Sequence, residues 1–129
     1  MKRITITLFL ILFLVSLNIL RAENSDSSDE VQKVEIIVES YSFNPDTITV
    51  EAGKPVEITL RSVASTITHD FTIDDPESGL YVVQEVKGGR DATVTFTPKK
   101  PGTYKFYCGK KNIFGSHEKK GMVGTIVIN

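Results

Sequence analysis

The chain has 129 residues with 15 basic and 16 acidic side chains, a formal charge of −1 and a single cysteine. Its first 22 residues carry three of the bases and no acid, so the rest holds 12 bases against 16 acids, near −4. That balance offers no basic surface for nucleic acid, and one cysteine rules out an internal disulfide.

Residues 1–22 read as an export leader. Lys2 and Arg3 precede a run from Ile4 to Leu20 that is apolar except for Thr5, Thr7, Ser16 and Asn18, and Ala22 marks the cleavage edge. The folded part is therefore expected in the periplasm or outside the cell. Left uncleaved, the same run is at the short end of the ~17–25 residues that span a bilayer and would act as an N-terminal anchor. No lipid-attachment cysteine follows it. Residues 23–30 (ENSDSSDE) are acidic and free of large apolar side chains, which predicts a flexible linker. Residues 31–129 are then one domain with one core.

The domain reads as strands joined by turns. Val34, Ile36 and Val38 alternate with Glu35, Ile37 and Glu39, and Tyr41 and Phe43 follow before a turn at Asn44-Pro45-Asp46. Ile48 and Val50 alternate with threonines. Glu51 to Pro55 is a turn, and Val56, Ile58 and Leu60 form the next strand. His69, Phe71 and Ile73 alternate in another, followed by a loop from Asp74 to Gly79. Tyr81–Val86 and Ala92–Phe96 predict a hairpin around residues 87–91. Pro98 to Gly102 turns the chain into Thr103–Cys108, and Gly124–Ile128 closes the domain. Period-two alternation broken by Gly and Pro indicates an antiparallel sandwich or barrel. Only residues 110–119 leave room for a short helix.

Beyond the leader the chain has Cys108, His69, His117 and Met122 as its only cysteine, histidines and methionine. Taken singly, a His beside a core Phe or a lone Met is ordinary packing. Taken together they supply two imidazoles, a thiolate and a thioether, the set used by mononuclear blue copper sites. Strand parity supports the grouping, because side chains two apart share a face. His69 is in register with Phe71 and Ile73, Cys108 with Tyr104 and Phe106, and Met122 with Ile126 and Ile128. A free thiol in an oxidising compartment is a liability unless it is buried or held by a metal.

Several stretches resemble the small cupredoxins, blue copper proteins of the plastocyanin, azurin and auracyanin type. These are Phe43-Asn44-Pro45, Gly53-Lys54-Pro55-Val56, His69-Asp70-Phe71-Thr72-Ile73, Pro101 to Cys108, and His117 followed by Gly121-Met122-Val123-Gly124. The resemblance implies an all-β Greek-key antiparallel β-sandwich. It also implies one copper ion, cycling between Cu(II) and Cu(I), with His69, Cys108 and His117 as equatorial ligands and Met122 as the axial one. The role implied is that of an exported electron carrier, not an enzyme, monomeric and served by redox protein partners. The readings beside it are a copper-trafficking or storage module and a metal-free structural sandwich. A two-copper site of the kind in the related oxidase subunit needs two cysteines, and a copper enzyme needs further histidines.

Two positions depart from the family pattern. Relatives separate the Cys and the second His by only a few residues, whereas eight stand here, Gly109 to Ser116. Asp70 replaces the Asn usual beside the first His; it is placed to accept backbone N–H bonds from the Cys108 loop. In the family the second His is the exposed edge of the site. Around His117 lie Lys110, Lys111, Lys119 and Lys120 against Glu118, with Ile113 and Phe114 as the large apolar residues. This predicts either docking to a partner with an acidic rim and an apolar centre, or a solvated loop whose Ile113 and Phe114 fold back over the metal.

Overall fold

The computed structural model describes residues 30–129; the leader and the linker up to residue 29 lie outside the described residues. Strands β1 (Gln32–Val38), β2 (Phe43–Asn44), β3 (Thr47–Val50), β4 (Val56–Ser62), β5 (His69–Asp75), β6 (Leu80–Val86), β7 (Ala92–Phe96), β8 (Gly102–Tyr107) and β11 (Val123–Ile128) build two sheets. One has the order β2-β1-β4-β7 and the other β3-β11-β8-β5-β6. A small ribbon of β9 (Lys111–Asn112) and β10 (Gly115–Ser116) stands apart. The described residues contain no α-helix, and no helix among them is long and apolar enough to cross a membrane.

The expected sandwich is found, and its alternation decides which side chains meet between the sheets. Ile36, Val38, Ile58, Leu60, Phe71, Ile73, Phe106 and Ile126 are fully buried at alternate positions of their strands. Phe43, Phe71 and Phe106 pack as an aromatic cluster, with Phe43 edge-on to Phe106 at 5.3 Å between ring centres. Most pairings are antiparallel, but β1–β4 and β3–β11 run parallel.

Three local expectations are corrected. Residues 81–96 are not a hairpin: β6 pairs with β5 over seven residues, while β7 pairs with β4 in the other sheet. The segment between them crosses from sheet to sheet, held where Gly89 N–H donates to Ala64 O at 2.7 Å. Gly88 lies so close to the Thr66 backbone that a Cβ there would fall within 2.9 Å of it. Second, β5 continues through Asp75, so the loop is reduced to a 3-10 turn at Pro76–Ser78. Third, residues 110–119 hold the β9–β10 hairpin and the start of a 3-10 turn at Glu118–Lys120.

Candidate metal centre

The four candidate residues converge on one pole of the sandwich. His69 opens β5, Cys108 follows β8 directly, His117 follows β10, and Met122 immediately precedes β11. His69, Cys108 and Met122 are wholly buried, and His117 is 3% exposed. Burial of His117 corrects the expectation of an exposed edge. The residues inserted after Cys108 fold back as the hairpin, and Asn112 lies against the ring, with Nδ2 3.4 Å from Nε2. Tyr41 packs edge-on against the same ring at 5.0 Å.

The loop geometry explains how distant residues are held together. His117 N–H donates to Lys110 O at 2.9 Å, extending the hairpin ladder. Met122 N–H donates to His117 O at 3.1 Å, and Cys108 N–H donates to Met122 O at 3.1 Å. Gly121, at φ 97°, makes the left-handed turn between them, a conformation that favours glycine. Cys108, His117 and Met122 are thus tied by backbone hydrogen bonds. β5 brings His69 from across the fold.

The Nδ1 atoms of His69 and His117 are 3.1 Å apart, and Cys108 Sγ lies 3.8 and 3.5 Å from them. Atoms with those separations lie on a circle of radius about 2.0 Å, close to the ~2.0–2.1 Å and ~2.3 Å of zinc bonds to imidazole and thiolate. One ion at its centre therefore reaches all three donors without rearrangement of the fold. The cluster fits a borderline metal, and the donor set of two imidazoles and one thiolate suits copper.

The electrostatics favour neutral ligands. Burial, with the nearby positive charge of His117 second, pushes His69 down to about 4. His69 Nε2 is buried with no hydrogen-bond partner among the described residues, while Nδ1 faces His117 Nδ1 and Cys108 Sγ, so a ring that ligates through Nδ1 carries its one proton on Nε2. His117 is lowered by burial and then by Lys120. Burial raises the Cys108 thiol, opposed by the backbone N–H groups of Asp70 and Lys110. Asp70 N–H donates to Cys108 Sγ at 3.4 Å. The Asp70 carboxylate accepts from Gly109 N–H at 2.6 Å and from the Thr72 hydroxyl at 3.0 Å, the tie to the Cys108 loop that its position predicted.

A pH dependence of the metal-free chain follows. The unfolded chain protonates its histidines near 6.5, whereas folded His69 resists until about 4. Between these values the unfolded state binds more protons, so stability is complete above about pH 6.5 and falls as the pH drops. His69 alone contributes a loss of up to about 3 kcal/mol by pH 4. Urea midpoints measured at pH 7.5 and 4.5 should fall for the native chain and much less for His69→Gln. Equal declines would remove His69 as the source.

Sequence reasoning did not find Tyr41 and Asn112 as neighbours of the site. Tyr41 shares parity with Phe43, which offered a signal that this segment faces inward. Nothing in the sequence marked Asn112, because its place depends on how the insertion folds.

Fold and cluster together define a β-sandwich protein with a metal-ligating pole. The Cupredoxin-like domain family matches residues 6–128, and the chain belongs to that family. Cytochrome c oxidase subunit 2 of Thermus thermophilus is 28% identical over 95 residues, which cover 74% of this chain and 64% of that subunit. The match thus spans less than two thirds of that relative. A dithionite-reduced auracyanin of Roseiflexus castenholzii has a similar fold, with a TM-score of 0.65 at 18% identity over 76% of this chain and 97% of that one. So does the metal-binding domain of a Cu(I)-exporting P-type ATPase of Streptococcus pneumoniae, solved with Cu(I), with a TM-score of 0.56 at 24% identity over 84% and 90%. At these identities the structural likenesses speak for the fold alone.

Proposed function

We propose that this chain is an exported mononuclear copper protein that carries single electrons between redox proteins. The observation that supports it most is the spacing of the His69, Cys108 and His117 donor atoms around one point about 2.0 Å from each. Copper held there would supply one-electron Cu(II)/Cu(I) chemistry. His69 and His117 would bind it as neutral imidazoles and Cys108 as thiolate, and Met122, wholly buried and tied through its backbone to Cys108 and His117, would offer a thioether. Ligation requires Cys108 to lose its proton, so apparent copper affinity rises with pH. The ligand pole is buried, which would shield a metal there from water. With a single cysteine and both histidines in the cluster, nothing remains for a two-copper site or a second histidine site. Export rests on the leader.

Titration of the purified chain with Cu(II) tests this reading. One equivalent should produce an intense visible thiolate-to-copper band that bleaches on reduction and returns on reoxidation. Weak or irreversible colour would favour copper trafficking. No metal uptake would leave a structural sandwich.

Asp70 should tune the centre. A carboxylate bonded to Gly109 and beside the Cys108 thiolate favours the more positive metal state. Asp70→Asn keeps an acceptor for Gly109 N–H while removing the charge. The midpoint potential should rise by tens of millivolts, where about 59 mV is tenfold for one electron. An unchanged potential would remove Asp70 as a tuning group.

A further inference from the structure

The insertion that separates Cys108 from His117 builds an exposed apolar tip. Ile113 is 92% exposed and Phe114 77% exposed, between the two strands of the β9–β10 hairpin. Neither residue folds back over the cluster, which corrects the second of the two loop expectations. Both are costly to leave in water, and their placement at the end of a hydrogen-bonded turn presents them outward together.

The charge around the tip is sorted by ion pairing. Lys110 is neutralised by Glu85 at 2.7 Å, and Glu118 is taken by Lys105 at 2.7 Å. Lys111, Lys119 and Lys120 have no ion pair among the described residues. Lys120 Nζ lies 4.3 Å from the centre of the Tyr41 ring and 5.8 Å from that of Phe114. A strip of Tyr41, Lys120 and Phe114 therefore runs from the His117 ring to the tip.

Asn112 joins the tip to the ligand. Its Oδ1 accepts Phe114 N–H at 2.9 Å, and its Nδ2 lies 3.4 Å from His117 Nε2. A body seated on Phe114 is thus two short contacts from a donor of the cluster.

We propose that the β9–β10 hairpin has taken over from the covered His117 edge as the docking face for a one-electron redox protein. The partner presents an apolar centre to Ile113 and Phe114 and an acidic rim to Lys111, Lys119 and Lys120. This rests on the electron-carrier reading above; one electron crosses and no atom is transferred. Lysines around a small apolar centre fit the ring arrangement of transient protein interfaces, in which opposite charge steers the encounter.

The test uses the metal-free, nitrogen-15-labelled chain, so it reads the surface independently of copper. Titration with an acidic haem protein of the cytochrome b5 type should shift the amides of residues 111–120 most, with binding weakened by salt. A basic c-type cytochrome should leave them unmoved. The paired substitution Ile113→Ser with Phe114→Ser should lower affinity at least tenfold, as should Lys111→Glu with Lys119→Glu, with the far-ultraviolet spectrum unchanged. Shifts centred on another face, or affinities within twofold of the native chain, would overturn the proposal. So would hairpin-dependent binding to phosphatidylserine vesicles without binding to the acidic haem protein, which assigns the tip to an anionic membrane. Failure of the copper titration, by contrast, would leave the docking result readable and strike only the electron-carrier reading.

Discussion

Cys108→Ser should abolish the intense visible band of the copper-loaded chain. The thiolate is the only sulfur anion available, since the chain has one cysteine. Its Sγ closes the donor triangle at 3.5 and 3.8 Å from the two imidazole nitrogens. A serine hydroxyl at the same place is a harder, far less acidic ligand. Loss of an outer-shell partner costs about 10–100-fold in metal affinity, so loss of the thiolate should exceed about 100-fold. The fold should survive, because the hydroxyl retains an N–H donor in Asp70. Met122→Leu is the matched control. It keeps the buried volume and removes only the thioether proposed as fourth ligand, which is a long, weak one in sites of this kind, so the colour should persist while the potential moves. Absorption spectra of both variants at one equivalent of copper decide the matter. A serine variant that kept the colour would remove Cys108 from the ligand set.

Gly124→Ala should be among the most destabilising single-methyl additions in the domain. A Cβ at Gly124 would sit 2.2 Å from Phe106 Cζ and 2.5 Å from the Asp46 carbonyl oxygen. Neither neighbour is free to give way. Phe106 is fully buried in the aromatic cluster with Phe43 and Phe71, and Asp46 O already accepts Thr125 N–H at 2.7 Å. Overpacking typically costs about 1–3 kcal/mol, and two rigid clashes place this variant at about 3 kcal/mol or beyond. For a domain of this size that lowers the thermal midpoint by more than about 10 °C. Trimming the ring with Phe106→Leu should recover part of the loss, which a double-mutant cycle would register as coupling. A midpoint within 2 °C of the native chain would contradict the packing argument. The glycine two residues after Met122 thus has a physical cause: the Phe106 ring lies over its backbone.

The sequence was most legible where one residue determines its own face. Parity placed His69, Cys108 and Met122 inward, and all three are buried. It also marked most of the strands, because a side chain's face depends only on its position along its own strand. Parity says nothing about which strand lies alongside. The expected hairpin of residues 81–96 failed for that reason, its strands finding partners in different sheets. β5 illustrates the same limit. Asp70 and Thr72 look like outward positions, yet both are buried: the Cys108 loop bonds to the Asp70 carboxylate, and the Thr72 hydroxyl donates to it as well.

By itself the sequence determined the supply of ligands and the alternation that builds a sandwich. A chain with one cysteine and two histidines has few ways to assemble soft donors, so composition and spacing carried that inference. Tertiary structure alone decided that the Nδ1 and Sγ atoms surround one point, since His69 stands 39 positions before Cys108. It alone decided that the eight-residue segment between Cys108 and His117 covers His117 and carries Ile113 and Phe114 into solvent. The physical reason is common to both. Distances between donors, and the path of a loop, are set by backbone hydrogen bonds and packing between segments remote in sequence, and such closures leave no periodic trace in the residues that make them.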